Sequence, residues 1–409
     1  LKEKTVKGVL WSCVDRFSTQ GIQFVFSVLI ARILLPSDYG TVAMLSIFFA
    51  VSQTFIDSGF GAALIRKIDR TETDFCTVFY FNIAVGVFFY LVLWFASPYI
   101  ADFYDLPLLK DITRVVALTV VFSSFSIVQS AKLSIKVDFK TRAKTSIWAN
   151  FLSGAIGLFF AYRGYGVWAL VIQSVSFSFI GTFLMCYWVR WIPKLIFSWR
   201  SFRELFSFGS KLLISSLLNT CYNNIYPLVI GKFFSPSALG LYSRANTLAQ
   251  YPSSVITSTL QGVTFPILSS IQNENEMLAD VYKRFIRLSA FVIFPMMIGL
   301  SAVASPFIRL LLTDKWEGAI YLLQIICFAM MWYPIHSINL NLLQVKGRSD
   351  FFLKLEIIKK VQGIAILCIT IPLGVVAMCY GSVIGSLLSL IYNTYYTKRL
   401  IGYGYWSQM

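Results

Sequence analysis

The sequence predicts an all-α integral membrane protein with about twelve transmembrane helices. Of its 409 residues, 57% are hydrophobic and 13% are charged, whereas soluble domains have about 45–50% apolar and about 25% charged residues. The mean hydropathy is +0.70. Twelve stretches are each close to the roughly 20 apolar residues that a membrane-spanning helix needs. A soluble enzyme is disfavoured, because so few charges would not cover the surface of a globule this large.

The predicted spans follow one another with short connections. The longest connections, near 190–207 and 267–283, leave no room for a folded catalytic domain. The spans are 8–33, 40–64, 75–97, 112–131, 145–162, 166–189, 208–231, 238–266, 284–304, 318–341, 352–371 and 374–397.

The basic residues are strongly biased to one side of the membrane. With a cytoplasmic N-terminus, 26 of the 35 Lys and Arg residues lie inside, eight lie outside and Arg16 lies within the first span. Cytoplasmic loops of membrane proteins carry such an excess. The bias predicts this orientation and accounts for the net charge of +16 without a nucleic-acid partner.

Two pairs of stretches indicate an internal repeat. LIARILLPSDYGTVAML begins at Leu29 and VIGKFFSPSALGLYSRA begins at Val229, with their Pro-Ser pairs and a Gly aligned. Residues 96–100 (ASPYI) correspond to residues 304–308 (ASPFI). With six helices per half, both copies enter from the same side. We therefore expect two six-helix halves, related by a pseudo-twofold axis along the membrane normal, around a central cavity.

The repeat also predicts the domain organisation. Residues 1–189 form an N-terminal six-helix lobe and residues 208–397 a C-terminal one. The linker 190–207 mixes aromatic and basic residues and is predicted as an amphipathic helix in the cytoplasmic interface. Residues 398–409 would be a cytoplasmic tail or the start of a further helix pair. Such paired halves are typical of transporters that work by alternating access.

Six stretches along the whole chain resemble one known family: LIARILLPSDYG, FIDSGFGAALIRK, GYGVWALVIQ, NNIYPLVIGKFFSPSALGLYSRA, TFPILSSIQ and INLNLLQVKGRSD. They resemble the Wzx-type polysaccharide flippases of the multidrug/oligosaccharidyl-lipid/polysaccharide exporter superfamily, especially the lipopolysaccharide and colanic-acid exporter branch. Many members have fourteen helices.

The resemblance implies a flippase for polyprenyl-diphosphate-linked oligosaccharide. It would move this lipid from the cytoplasmic to the periplasmic leaflet of the bacterial inner membrane, for synthesis of O-antigen, capsule or exopolysaccharide. The implied partners are the lipid-linked substrate, membrane lipids, and a polysaccharide polymerase with its chain-length machinery.

Four charged residues within the spans are candidates for substrate binding or coupling, because burying a charge in the membrane is costly. Arg16 offers a planar cation to a diphosphate, or forms a structural ion pair with Asp15 or Asp57. Arg244, near the outer side of the eighth span, either meets the diphosphate after the conformational switch or snorkels to the headgroups.

Two spans carry polar side chains along one helical face. Amides and aromatic rings suit a cavity that passes an oligosaccharide, and polar contacts between packed helices are the alternative. The candidate cavity residues are Asn219, Tyr222, Asn223 and Tyr226 in the seventh span, and Asn341 in the tenth, where Tyr333, Ser337 and Gln344 share its face.

The sequence contains no GxxxxGK[ST], HExxH or GxSxG motif, so we expect no enzyme activity and no catalytic residue. Seven Cys without a CxxC pair and a single His predict no metal site, and no cofactor is expected. Energy for uphill transport would come from an H⁺ or Na⁺ gradient. Asp15, Asp57 and His336 are the candidate coupling or gating residues, and the sequence leaves the ion open.

Two other functions compete with the flippase. A cation-coupled multidrug antiporter of the same superfamily should present carboxylates without compensating arginines, whereas Arg16 follows Asp15 directly here. A membrane-embedded polymerase or glycosyltransferase usually needs a large loop outside the membrane, and the predicted loops are short.

Overall fold

The computed structural model is helical almost throughout the part of the chain that it describes. This part is the backbone of residues 2–57 and 59–408, with the side chains in these ranges other than those of residues 2–10, 12–16, 211 and 406. Its α-helices are α1 (Lys2–Ile33), α2 (Pro36–Met44), α3 (Ser46–Asp57), α4 (Phe60–Arg66), α5 (Glu72–Phe103), α6 (Leu108–Val116), α7 (Leu118–Ile135), α8 (Phe139–Tyr162), α9 (Val167–Val189), α10 (Trp199–Asn223), α11 (Ile225–Phe233), α12 (Pro236–Ser270), α13 (Asn275–Ala302), α14 (Ala304–Leu312), α15 (Gly318–Met330), α16 (Tyr333–Val345), α17 (Ser349–Thr370), α18 (Val375–Ile401) and α19 (Tyr405–Gln408).

The predicted all-α membrane fold is confirmed. Each predicted span coincides with one helix or with a run of helices separated by short breaks. Among the described residues, eight helical segments are long and apolar enough to cross a membrane, and a ninth is added if the bent pair 17–33 and 36–44 is one span. The chain is therefore a multi-pass membrane protein, and the count of twelve stays a prediction.

The chain divides into two compact units, residues 1–239 and 240–409. Helices α10 and α11, which contain the predicted seventh span, pack within the first unit against helices α2 to α5. The sequence repeat groups that span with the five that follow it. The predicted lobes, 1–189 and 208–397, follow the sequence repeat and differ from these packing units. The lobe boundaries stay a prediction.

Four turns with positive φ occur at corresponding places in the two units. Residues other than Gly seldom adopt positive φ, so their recurrence at nearly constant spacing supports the internal repeat. The pairs are Asp105 and Thr313, Gly166 and Gly374 (both 208 residues apart), Val137 and Gly347 (210 apart), and Arg190 and Gly402 (212 apart).

The second predicted span is broken, whereas its counterpart in the other unit, α12, is one continuous helix. One break is at Leu45, between α2 and α3. At the other, α3 ends at Asp57 and α4 begins after Gly59, whose φ is +70°. Gly adopts this conformation at little steric cost. A Cβ at Gly59 would also lie 2.9 Å from the Cα atom of Gly209 in α10. A glycine at position 59 thus permits both the turn and the close approach of α10.

The predicted amphipathic helix in the linker is wrong for its first half, because residues 190–198 contain no helix and α10 begins at Trp199. Pro193 disfavours helix at the residue before it, and the linker binds the first turns of α5 instead. These bonds join the Trp191 indole N–H to Glu72 Oε2 (2.9 Å), the Lys194 amide N–H to Cys76 Sγ (3.3 Å) and the Ser198 amide N–H to Thr77 Oγ1 (3.1 Å).

An ion cluster at Lys67 joins α10 to α5. The Lys67 Nζ atom lies 3.2 Å from Asp74 Oδ1 and 3.0 Å from Glu204 Oε2. The side chain of Asp74 is 1% exposed, whereas that of Glu204 is 57% exposed. The buried carboxylate of Asp74 therefore depends on Lys67 more than the exposed one of Glu204 does.

We expect Gly59→Ala to destabilise the protein by at least about 1 kcal/mol, because alanine is strained at positive φ and its Cβ would meet the α10 backbone. Gly61→Ala is the matched control, since its Cβ would lie 3.9 Å from the nearest atom, Ile127 Cγ2. Thermal unfolding in detergent measures both variants. Equal losses would contradict the assigned role of Gly59.

We expect Lys67→Met to cost about 1–3 kcal/mol, because it leaves the Asp74 carboxylate buried without its cation, and Glu204→Gln less than about 1 kcal/mol. Although burial lowers the pKa of Lys67, Glu204 and Asp74 raise it above its ordinary value of 10.5. Stability from a raised lysine pKa is complete below 10.5 and is lost only as the pH rises through the raised value.

Unfolding in detergent at pH 6 and pH 9 should therefore give the same difference between wild type and Lys67→Met. A difference that vanishes at pH 9, or an equal loss in Glu204→Gln, would contradict this account of the cluster.

Candidate functional site

A cavity of about 540 Å³ lies beside the break between α3 and α4, within the first unit. Helices α3, α4, α7 and α10 form its walls. Its size is that of a site for a small molecule or part of a larger one. The lining residues are Gln53, Asp57, Gly59, Gly61, Ala62, Ile65, Ser123, Ser126, Ile127, Ser130, Ala131, Ser134, Leu212 and Ser216.

Asp57, a predicted site residue, provides the carboxylate of this cavity. It is the last residue of α3, and Gln53 Nε2 donates a hydrogen bond of 3.2 Å to its Oδ1 atom. The side chain is otherwise exposed to the cavity. A helix C-terminus carries partial negative charge, so the end of α3 adds to the negative potential of the carboxylate.

A row of serines on α7 faces Asp57, and sequence reasoning missed it. Ser123, Ser126, Ser130 and Ser134 all line the cavity. Their spacing of three, four and four residues places them on one helical face. This periodicity was visible in the sequence, but mean hydropathy hides it because serine is only weakly polar and its neighbours on α7 are apolar.

The α10 wall is held in place by the glycine contact and by one hydroxyl pair. Thr54 Oγ1 on α3 lies 2.9 Å from Thr220 Oγ1 on α10. Leu212 and Ser216 of α10 line the cavity between these two contacts. The break at Gly59 therefore shapes the cavity from two sides, since it ends α3 and admits α10.

Asp15 and Arg16 lie on α1, but their side chains are outside the described part of the structure. Their predicted pairing with each other or with Asp57, and the role of Arg16 at a diphosphate, stay predictions.

The polar stripe predicted for the seventh span is divided between two helices, because α10 ends at Asn223 and α11 begins at Ile225. Asn224, at the junction, donates a 2.9 Å hydrogen bond from its amide to the Thr220 carbonyl. Among the stripe residues the two asparagines are exposed and the two tyrosines half-buried: Asn219, Asn223, Tyr222 and Tyr226. The lining residues given above do not include these four.

Arg244 lies in the second unit, on α12, and is only 6% exposed. Its guanidinium carbon is 5.8 Å from the centre of the Trp316 ring, a distance at which a cation is attracted to an aromatic face. The side chain is thus buried against an aromatic residue, which does not match simple snorkelling to the headgroups.

Asn341, also in the second unit, is buried between α16 and α12. Its amide donates a 3.1 Å hydrogen bond to Thr264 Oγ1, and Ser337 on the same face accepts one of 2.6 Å from Gln261 Nε2. This geometry favours the alternative in which the tenth-span stripe holds packed helices together.

His336 is half-buried, and both of its ring nitrogens have partners. Ser386 Oγ donates to the Ala329 carbonyl (3.1 Å), so it accepts from His336 Nε2 at 3.1 Å. The other ring nitrogen, Nδ1, then accepts from the Asn393 amide at 3.2 Å. Such a bonded network assigns the neutral tautomer with hydrogen on Nε2. The arrangement favours a structural histidine over a coupling group.

Among the described residues, no group of three or more His, Cys, Asp or Glu side chains is placed to hold a metal ion. The cavity instead offers hydroxyls, one amide and one carboxylate. These groups bind polar ligands by hydrogen bonds.

Comparison with known sequences places the chain among polysaccharide biosynthesis proteins. The family model described as "Polysaccharide biosynthesis protein" matches residues 29–321. The teichuronic acid biosynthesis protein TuaB of Bacillus subtilis is 28% identical over 354 residues, which cover 86% of this chain and 73% of that protein. The lipopolysaccharide biosynthesis protein WzxC of Escherichia coli is 24% identical over 403 residues, which cover 96% of this chain and 80% of that protein. The succinoglycan biosynthesis transport protein ExoT of Rhizobium meliloti is 26% identical over 318 residues, which cover 77% of this chain and 64% of that protein.

Solved structures with the same fold are membrane transporters. The lipid II flippase MurJ in an inward closed conformation superposes with a TM-score of 0.79 at 12% identity, over 95% of this chain and 87% of that one. An inward-facing multidrug resistance MATE family transporter of the MOP superfamily gives a TM-score of 0.73 at 14% identity, over 92% and 95%. These superpositions confirm the predicted fold.

We expect His336→Gln to keep the stability within about 1 kcal/mol of wild type, because glutamine offers a donor and an acceptor, whereas His336→Leu leaves buried polar partners unpaired at a cost of about 1–3 kcal/mol. Unfolding in detergent measures both. The pH profile of transport should be unchanged in His336→Gln. A shifted profile in this variant, with stability retained, would assign His336 to coupling instead.

Proposed function

The chain belongs to the family of polysaccharide biosynthesis proteins, and on that premise we propose that it is a flippase for polyprenyl-diphosphate-linked oligosaccharide. The observation that carries the proposal is the coincidence of this family match, over residues 29–321, with the fold of a lipid II flippase over 95% of the chain. Alternating access of two helical halves would carry the glycan across.

The substrate class follows from what the named relatives have in common. Their names assign them to teichuronic acid, lipopolysaccharide and succinoglycan biosynthesis, which are chemically different polymers. If the repeat units of these polymers are all carried on a polyprenyl diphosphate, transporters of one fold could bind them through this shared part. The substrate, the surrounding lipids, and a polymerase with its chain-length machinery are the proposed partners.

The proposed location is the bacterial inner membrane, with the N-terminus in the cytoplasm. The distribution of Lys and Arg supports this orientation, since 26 of 35 then lie inside. In this orientation the cavity beside Asp57 is at the cytoplasmic end of α3 and α7, where the lipid-linked substrate would enter.

We propose transport without chemical conversion of the substrate. The described cavity pairs no nucleophile with a base, and the sequence has no phosphate-binding GxxxxGK[ST] loop for ATP hydrolysis. An H⁺ or Na⁺ gradient would then supply any energy needed. Asp57 is the coupling candidate that lines the cavity, and Asp15 stays a candidate from the sequence.

A cation-coupled multidrug antiporter is the second candidate, and one observation favours it. The described lining of the cavity carries a carboxylate and hydroxyls but no Lys or Arg, which suits an organic cation. The family match weighs against this candidate, because the relatives named above belong to polysaccharide pathways.

Proteoliposomes test the proposal directly. A fluorescent polyprenyl-diphosphate oligosaccharide is placed in the vesicles, and its exposure to an external quencher is followed with and without the full-length protein. We expect protein-dependent transfer that falls about tenfold, or about 1.4 kcal/mol, in Arg16→Ala and in Asp57→Asn. Asp69→Asn, an exposed carboxylate in the turn between α4 and α5, is the matched control and should transfer normally.

Unchanged transfer in a well-folded Arg16→Ala variant would assign Arg16 a structural role. No transfer by the wild type, across several glycans and both ion gradients, would overturn the flippase and favour the antiporter.

A further inference from the structure

The polar groups of the cavity beside Asp57 are dominated by hydrogen-bond acceptors. Asp57 is an acceptor only, and it is the last residue of α3. Among the described lining side chains there is no Lys, Arg or His. A diphosphate consists of acceptor oxygens with negative charge and is normally bound by cations and N–H donors. This lining would repel it.

Two of the four α7 serines add to the acceptor character. Ser126 Oγ donates to the Ser123 carbonyl at 2.9 Å, and Ser134 Oγ donates to the Ser130 carbonyl at 3.0 Å. A hydroxyl has one hydrogen and two lone pairs. With the hydrogen engaged by the backbone, each of these oxygens presents only lone pairs to the cavity.

A sugar is complementary to such a lining. Its hydroxyls are donors that a carboxylate and back-bonded serines accept, while Gln53 adds an amide at the same wall. Its C–H faces need apolar contact, which Ile65, Ile127 and Leu212 provide. The cavity, at about 540 Å³, has the size of sites that bury a small molecule, which suits the leading part of a glycan.

We propose that this cavity receives the uncharged, hydroxyl-bearing part of the glycan and excludes the diphosphate, so that the two ends of the substrate head are recognised in different places. The inference rests on the proposed flippase function. It adds that glycan recognition begins at α3 and α7 of the first unit, and that the diphosphate is bound by groups outside this lining.

Binding affinities measured with the purified protein in nanodiscs test recognition of the glycan and of the diphosphate separately. The probes are a polyprenyl diphosphate that carries glucose or N-acetylglucosamine, the same polyprenyl diphosphate without sugar, and tetraphenylphosphonium as an organic cation. The test variant is the double substitution Ser126→Ala with Ser130→Ala. The matched control is Ser124→Ala, whose hydroxyl on the same helix donates to the Val121 carbonyl at 2.7 Å and does not line the cavity.

We expect the double variant to weaken binding of the glycan-bearing lipids about tenfold, or about 1.4 kcal/mol, and to leave the sugar-free lipid within about twofold of wild type. Ser124→Ala should bind all three probes as the wild type does. Asp57→Asn should weaken the glycan-bearing lipids and should not weaken the sugar-free lipid, because it removes a negative charge.

Four outcomes would overturn the inference. Equal weakening of lipids with and without sugar would place the diphosphate in this cavity, and unchanged binding of the glycan-bearing lipids would remove the glycan from it; in both cases the flippase proposal stands. Loss of tetraphenylphosphonium binding alone in Asp57→Asn would identify a cation site. Wild-type protein that binds neither lipid would overturn the flippase proposal together with this inference.

Discussion

At the junction of α3 and α4 two backbones approach so closely that a Cβ on Gly59 would lie 2.9 Å from both the Cα and the carbonyl oxygen of Gly209. This contact constrains the first unit more than any single side chain described above. It sets where α3 ends, which places Asp57 at a helix terminus, and it determines how near α10 comes to α4. The α10 wall of the cavity and the Thr54–Thr220 hydroxyl pair lie along that approach.

Within the first unit, described basic side chains pair with acidic or aromatic residues away from the cavity, whereas the carboxylate of Asp57 lines it. Three cations among the described residues are engaged in other contacts. Lys67 pairs with Asp74 and Glu204, and the Arg66 guanidinium lies 4.4 Å from the centre of the Phe208 ring. Lys132 pairs with Glu72 at 3.1 Å. These contacts fasten α5, α7 and α10 to one another. They also leave the carboxylate of Asp57 as the charge of the described lining.

The helices and the repeat could be predicted from the sequence because both depend on patterns longer than twenty residues. Apolar length predicts a span, and a Pro-Ser pair repeated after 200 residues predicts a second copy. The break at Gly59 was not predictable in the same way. An isolated glycine in an apolar run is compatible with a continuous helix, and the sequence does not show that position 59 meets Gly209, 150 residues later. The neutral tautomer of His336 likewise depends on Ser386 and Asn393, which are at least 50 residues away.

The two units share their left-handed turns, yet only the first breaks its second span, while α12 keeps 35 residues in one helix. Duplication of a six-helix plan would have started with two equivalent copies. Under the proposed function, confining the break to one copy lets substitutions near residue 57 and along 123–134 change glycan preference without altering the continuous helix of the other copy. New specificity then need not disturb the half whose second span is unbroken.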